Sequence, residues 1–397
     1  MNTSAELWGY ISAFIIFVCG FFIASKVSRY FGLKKSHSVF LYFWHTLFCL
    51  VYFWYASWNI SDSTIYYYKS TLGDVEFWPG TPGVVLINTP FIYGLNLSFL
   101  GAFALNNIYG FIGLAATKGA LDIATRNKNR FLKYLAWVIV LLPSISFWSS
   151  AISKDSISFM ATGLALWAAL QLEKRVFIMA FAIFMMFLVR PHIAGMMILA
   201  LSFSLILSAK INLFRRLLLG SVAVVVTVVL VPFALQYAGV SDQSSAEAVI
   251  DYIDSREAGN MGGGSSIDIT SMSLPMKLFT YAFRPSVLEA RNIFYFAAAI
   301  DNFILLILFV SGGYAFFKKK TKNLIGNRTF MWAYVFLAWI ILAMTTANLG
   351  IAVRQKWMFA PMLIFLLISL IGKERNPTSA VTPAAPATRL PRGSRFK

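Results

Sequence analysis

Asp62 is the residue of this chain best placed to act as a base. It stands in the stretch Trp58 to Pro82, WNISDSTIYYYKSTLGDVEFWPGTP, which is polar, acidic and aromatic and lies between two long apolar segments. A carboxylate just beyond an apolar segment can accept a proton without the cost of burial in hydrocarbon. Asp74 and Glu76 follow, near Trp78 and the turn signal Pro79-Gly80-Thr81-Pro82. Two neighbouring carboxylates raise one another's pKa or hold a divalent cation through oxygen ligands. Solvated surface charge is the plainer reading of these acids, and an interfacial aromatic belt is the plainer reading of Tyr66, Tyr67 and Tyr68. As site residues, Asp74, Glu76 and Tyr67, together with Asp155 further along the chain, would contact an acceptor or a metal.

The basic candidates lie at the borders of apolar segments. Lys154 and Asp155 follow LPSISFWSS, where a charged pair is costly enough to suggest function, or is a snorkelling lysine beside a helix-capping aspartate. Arg190-Pro191-His192 separates two short apolar runs. The guanidinium fork fits phosphate oxygens, and a proline break frees backbone groups to do the same. His192 alone reads as a structural hydrogen-bonder, and three histidines in the whole chain make no His-based metal cluster. Phe283-Arg284-Pro285 with Glu289 and Arg291, and then Arg354-Gln355-Lys356, complete the set. A lipid-linked phosphate would lie where Lys154, Arg190, His192, Arg284, Arg291, Arg354 and Lys356 cluster. Asp301 stands apart within an apolar segment, next to Asn302, and reads as a hydrogen-bonded structural carboxylate.

The elements that must position these residues follow from composition. With 58% hydrophobic residues, 13% charged residues and a mean hydropathy of +0.70, the chain is not a soluble globular domain. Apolar runs long enough to cross a hydrocarbon core of about 30 Å recur from end to end. They predict an all-α, polytopic bundle of eleven spans, near 7–25, 38–57, 97–117, 134–152, 156–172, 176–190, 193–209, 217–237, 292–316, 329–347 and 357–372. The pair flanking Arg190 is short enough to be a broken or re-entrant helix pair. The net charge of +18 would point a soluble protein toward nucleic acid. Here most of the basic residues fall in alternate connections, and the acidic residues collect on the opposite side. By the positive-inside rule the N-terminus is outside, the C-terminus is cytoplasmic and the acidic loops face out, so nucleic acid is not an expected partner.

Residues 1–372 read as one integral membrane domain with large exterior loops at 58–96 and 238–291, partly helical. The second loop opens acidic and turns Gly/Ser-rich, a short helix followed by a mobile segment that is either a lid or a flexible acidic surface loop. Residues 373–397, rich in Pro, Ala, Ser and Thr, cannot bury enough apolar surface to fold and read as a disordered cytoplasmic tail. Cys19 and Cys49 fall inside spans and read as packing residues. The first span lacks a basic leader and a small-residue cleavage site, so it is expected to remain in the mature chain.

The order of these motifs, Asp62 with the tyrosine run, the Pro-Gly-Thr turn, Trp-Ser-Ser before Lys154-Asp155, Arg-Pro-His, Phe-Arg-Pro and a late Arg-Gln-Lys, resembles the bacterial GT-C-type membrane glycosyltransferases and related polysaccharide-biosynthesis proteins. The resemblance covers most of residues 40 to 370, and the individual motifs are short. It implies an inner-membrane enzyme that transfers a sugar from a polyprenyl-phosphate donor to a glycan or lipid acceptor on the exterior face, with Asp62 as general base. The chain departs from the commoner pattern in carrying Asp-Ser where that class pairs Asp with Glu. One alternative is an O-antigen or exopolysaccharide polymerase using polyprenyl-pyrophosphate glycans, for which Arg190 and Arg284 would be the essential residues. An alternative of another class is a transporter or flippase for a glycolipid or anionic solute, against which the sequence shows no internal repeat.

Overall fold

A computed structural model describes residues 3–207, 266–269, 271–290, 292–318 and 325–372, together with Phe214, Ser221 and Val228. Most of the expected span at 217–237, most of the loop at 238–291 including its helix and lid, Arg291, and the tail at 373–397 lie outside the described residues.

Among the described residues the chain is all-helical. In order, the helices are α1 (Thr3–Tyr30), α2 (Lys35–Trp58), α3 (Asp62–Thr71), α4 (Thr81–Ile92), α5 (Phe99–Thr125), α6 (Arg130–Val140), α7 (Pro143–Ser149), α8 (Lys154–Ala169), α9 (Val176–Val189), α10 (Pro191–Ile206), α11 (Leu274–Phe283), α12 (Ile293–Phe317), α13 (Arg328–Thr345), α14 (Leu349–Gln355) and α15 (Ala360–Leu370). Six stretches, Glu6–Tyr30, Lys35–Trp58, Phe99–Thr125, Arg130–Ser149, Ile293–Phe317 and Arg328–Thr345, are long and apolar enough to cross a membrane. A seventh is the pair Leu349–Met358 and Ala360–Leu370, bent by 65°. Among the described residues, the expected spans at 176–190 and 193–209 correspond to shorter apolar helices. α9 has 14 residues and α10 has 16, so at 1.5 Å per residue they reach about 21 and 24 Å, less than the hydrocarbon core.

α5 is the centre of the bundle, packed by α8 on one side and by α1 and α2 on another. Small residues permit this: a side chain on Gly163 of α8 would come within 2.4 Å of the Gly113 carbonyl of α5, so the two backbones touch. Proline sets the breaks. Pro143 starts α7 and Pro191 starts α10, each in a first turn where its missing N–H costs nothing.

The stretch expected as the first exterior loop is folded. Asp62 opens α3, capped by Ser61 and Thr64. α4 is apolar, with Val84, Val85 and Ile92 buried, because the residues after the Pro-Gly-Thr-Pro turn pack on α9. The Gly80 N–H donates to the Leu188 carbonyl at 2.8 Å, and Gly80 has φ +94°, a conformation that favours glycine. The turn thus docks two residues before Arg190.

Candidate functional site

Four charged side chains from four distant segments form one chain of ion pairs. Arg354, on α14, donates through Nη2 to Asp62 Oδ2 at 2.9 Å, and through Nε to Asp155 Oδ2 at 2.9 Å. Arg190 Nη2 donates to Asp155 Oδ1 at 2.7 Å. The order is therefore Asp62, Arg354, Asp155, Arg190. The first pair is the more exposed: the Asp62 side chain is 48% exposed and that of Arg354 is 25%, whereas Asp155 is 6% and Arg190 10%.

Each position has a local cause. Asp62 lies on the first turn of α3, held there by Thr64, whose Oγ1 accepts from the Ser61 N–H at 3.2 Å and donates to the Ser61 carbonyl at 2.6 Å. Asp155 lies on the first turn of α8, where Ser153 Oγ accepts from the backbone N–H of Asp155 and of Ser156; a carboxylate is favoured at that end of a helix. Arg190 is the residue between α9 and α10, aimed by the proline break. Asn348 caps α14 by accepting from the N–H groups of Gly350 and Ile351, which points Arg354 back toward α3 and α8. Burial alone would push the Asp155 carboxyl upward; Arg354 and then Arg190 outweigh it and hold the group below its ordinary range.

Aromatic residues enclose the cluster. The Arg354 guanidinium carbon lies 5.2 Å from the centre of the Trp148 ring, within cation–π reach. Tyr66 is buried one helical turn from Asp62 and lies in the field of Asp62 and Asp155; burial pushes its hydroxyl up to about 12. Tyr52, on α2, feels the charges of Arg354, Asp155 and Asp62.

Beside the cluster runs an apolar groove of about 380 Å³ between α2, α7, α12 and α14, lined by Phe48, Val51, Phe147, Trp148, Phe294 and Val353 among others. Val51, Ile293 and Phe294 on its lining are solvent-exposed in the isolated chain, so the groove opens on an apolar flank. Trp148 belongs both to this wall and to a small void shared with Asp155 and Arg354.

The other candidates named from the sequence fall elsewhere. Lys154 begins α8 beside Asp155, and His192 is the second residue of α10 beside Arg190; both are half-buried. Arg284 pairs with Glu289, its Nε donating at 2.8 Å, in the turn after α11. Lys356 was expected at the exterior border facing a phosphate. It is instead buried, donating to Asn302 Oδ1, with Asp301 close enough to interact electrostatically. Asp301 itself accepts from Ser144 Oγ on α7, and Asn302 Nδ2 donates to the Pro285 carbonyl at 2.9 Å. This arrangement supports the structural reading of Asp301. Tyr67, expected at an acceptor or metal, donates to the Leu97 carbonyl at 3.0 Å and packs on Phe99, so it ties α3 to the start of α5. Asp74 and Glu76 are exposed on the coil between α3 and α4. Among the described residues no three His, Cys, Asp or Glu gather as a metal site.

Sequence reasoning passed over Tyr52 and gave Trp148 no role of its own. The signal for Tyr66 was present, since it stands four residues after Asp62 and so on the same helical face. Nothing in the spacing links Trp148 to Arg354. His45 is also placed structurally: its ring nitrogens contact Asn107 Oδ1 at 2.5 Å and Ser149 Oγ at 2.9 Å, joining α2, α5 and α7.

No family model, no curated protein and no solved structure matches this chain.

Proposed function

We propose that the chain is a multi-pass glycosyltransferase of the bacterial inner membrane, which transfers a sugar from a polyprenyl-phosphate carrier to a glycan or lipid acceptor on the exterior face. The proposal includes an exterior N-terminus, a cytoplasmic C-terminus and the eleven-span reading, with the short helices α8 to α10 counted as crossings. The observation that carries it is Asp62. One of its oxygens is fixed by Arg354, and Oδ1 makes no hydrogen bond among the described residues, at a site adjoining an apolar groove.

The chemistry assigns each group a task. Asp62 Oδ1 takes the proton of the acceptor hydroxyl as its oxygen attacks the anomeric carbon. The bond from that carbon to the phosphate oxygen breaks, and the electron pair leaves with the carrier phosphate. Negative charge growing on the phosphate is met by Arg354, with Lys154 and Arg190 nearby, in surroundings where fixed charges act strongly. Asp155 holds both arginines in place.

The test is sugar transfer by purified protein and by Asp62→Asn, across a panel of polyprenyl-monophosphate and polyprenyl-pyrophosphate sugars, with and without a chelator because a divalent cation at Asp74 and Glu76 is part of the proposal. Loss of about 10²–10⁴-fold in monophosphate-donor turnover with donor binding retained supports Asp62 as the base. Unchanged turnover removes that role and turns attention to the polymerase reading, with Arg190 and Arg284 next.

A further inference from the structure

One indole separates two environments. Trp148 presents a face to the Arg354 guanidinium at 5.2 Å and forms part of the groove wall. Its helix is clamped from several directions: Ser144 donates to Asp301 on α12, Ser149 contacts His45 on α2, and the Trp148 ring packs on Phe147 at 5.0 Å and Tyr52 at 5.8 Å. A seven-residue helix held this firmly fixes the indole as a partition between an apolar channel and a charged cluster.

From this geometry we infer that Trp148 is a positioning residue for a single-chain anionic amphiphile, setting the first units of the tail in the groove on one side and the oxyanion head against Arg354 on the other. The inference rests on the donor-lipid reading and names how that ligand is placed. In a bilayer a tail gains little free energy by exchanging lipid for an apolar wall, since both are equally apolar. The groove therefore supplies register more than affinity. Affinity comes from charge-assisted contacts to Arg354, and these form only if the junction of head and tail stops at the right depth. An indole suits that junction because its body is apolar and it sits readily at a polar border. The Asp62 carboxylate, held by the same Arg354, is then at a fixed distance from the head group.

Photolabelling of the full chain in lipid nanodiscs tests this, with two long-chain alkyl monophosphates as probes, one carrying a diazirine beside the phosphate and the other at the tail end. The head-proximal probe is expected to label α7 and α14, and the tail-end probe the groove walls on α2 and α12. Trp148→Phe keeps the pattern. Trp148→Ala weakens head-proximal labelling by about three- to tenfold, as expected for a lost cation–π contact, and spreads it along the groove. Trp148→Leu, which keeps an apolar side chain in the partition and removes the aromatic face, covers the case in which the alanine variant fails to fold and is expected to spread the label likewise. An unchanged pattern in the folded Leu or Ala variant overturns the inference, as does wild-type label scattered over all lipid-facing helices. Labelling as expected, without competition by polyprenyl monophosphate, leaves the role of Trp148 standing and removes the polyprenyl donor from the functional reading.

Discussion

Arg354 and Asp62 stand 292 positions apart in the chain and meet at 2.9 Å through Nη2 and Oδ2. The same Nη2 is 2.9 Å from Asp155 Oδ2, so a single guanidinium joins α3, α8 and α14. Lysine offers a point charge and cannot bridge two carboxylates with a planar fork. Arg354→Lys is therefore expected to leave the chain folded and to lower sugar-transfer kcat/KM by about 10²-fold, the scale for losing a fixed donor to developing charge. Equal kcat/KM in the two proteins would count against a role for Arg354 at the reacting phosphate.

Asp155 differs from Asp62 in burial, and burial decides the cost of removing it. Asp155→Asn leaves Arg190 and Arg354 without their shared carboxylate in a nearly dry site, so it is expected to destabilise by about 3–5 kcal/mol. Asp62→Asn disturbs a half-exposed ion pair and is expected to cost about 0–1 kcal/mol. Thermal unfolding of both variants in the same detergent checks the order, and an equal loss would contradict it.

Glu289 gives a pH signature. Its hydrogen bonds from Arg284, reinforced by the Ser286 backbone, hold its carboxyl down at about 2 against an ordinary 4.5. A carboxylate with a lowered folded pKa stabilises fully above its ordinary value, and the contribution is lost as pH falls from about 4.5 toward 2. The stability advantage of the wild type over Glu289→Gln should therefore be constant above about pH 5 and shrink below it. A difference that stays level to the lowest accessible pH would show that the pair contributes nothing.

Gly83 permits α4 to lie against α9. A side chain there would come within 1.8 Å of the Leu188 carbonyl, and the backbone would have to yield. Gly83→Ala is expected to cost about 1–3 kcal/mol and to shift the docking of the Pro-Gly-Thr-Pro turn close to Arg190. Wild-type unfolding temperature and wild-type donor binding together would show that α4 can move without consequence for the site.

Composition and apolar runs determined what depends on local solvent preference: an all-helical chain with several helices that could cross a membrane, a break at Pro191, and charged residues held to the ends of apolar segments; the break at Pro143, inside the expected span 134–152, came only from the structure. The apolar runs also singled out Asp62 as a carboxylate just outside an apolar segment, Asp155 as a charge costly at its depth, and Arg190 and Arg354 as cations at the borders of apolar segments. Local preference does not say which charge meets which, because an ion pair depends on helix packing between residues far apart in the chain. The tertiary structure decided that Asp155 bridges both arginines, that Lys356 turns inward to Asn302 while Arg354 turns to Asp62, and that Tyr67 ties two helices. Residues 354 and 356 look equivalent in sequence. They diverge because Arg354 lies on the last turn of α14 whereas Lys356 opens the 3-10 turn that follows it, where the chain bends toward α15 and the side chain is carried to the other side.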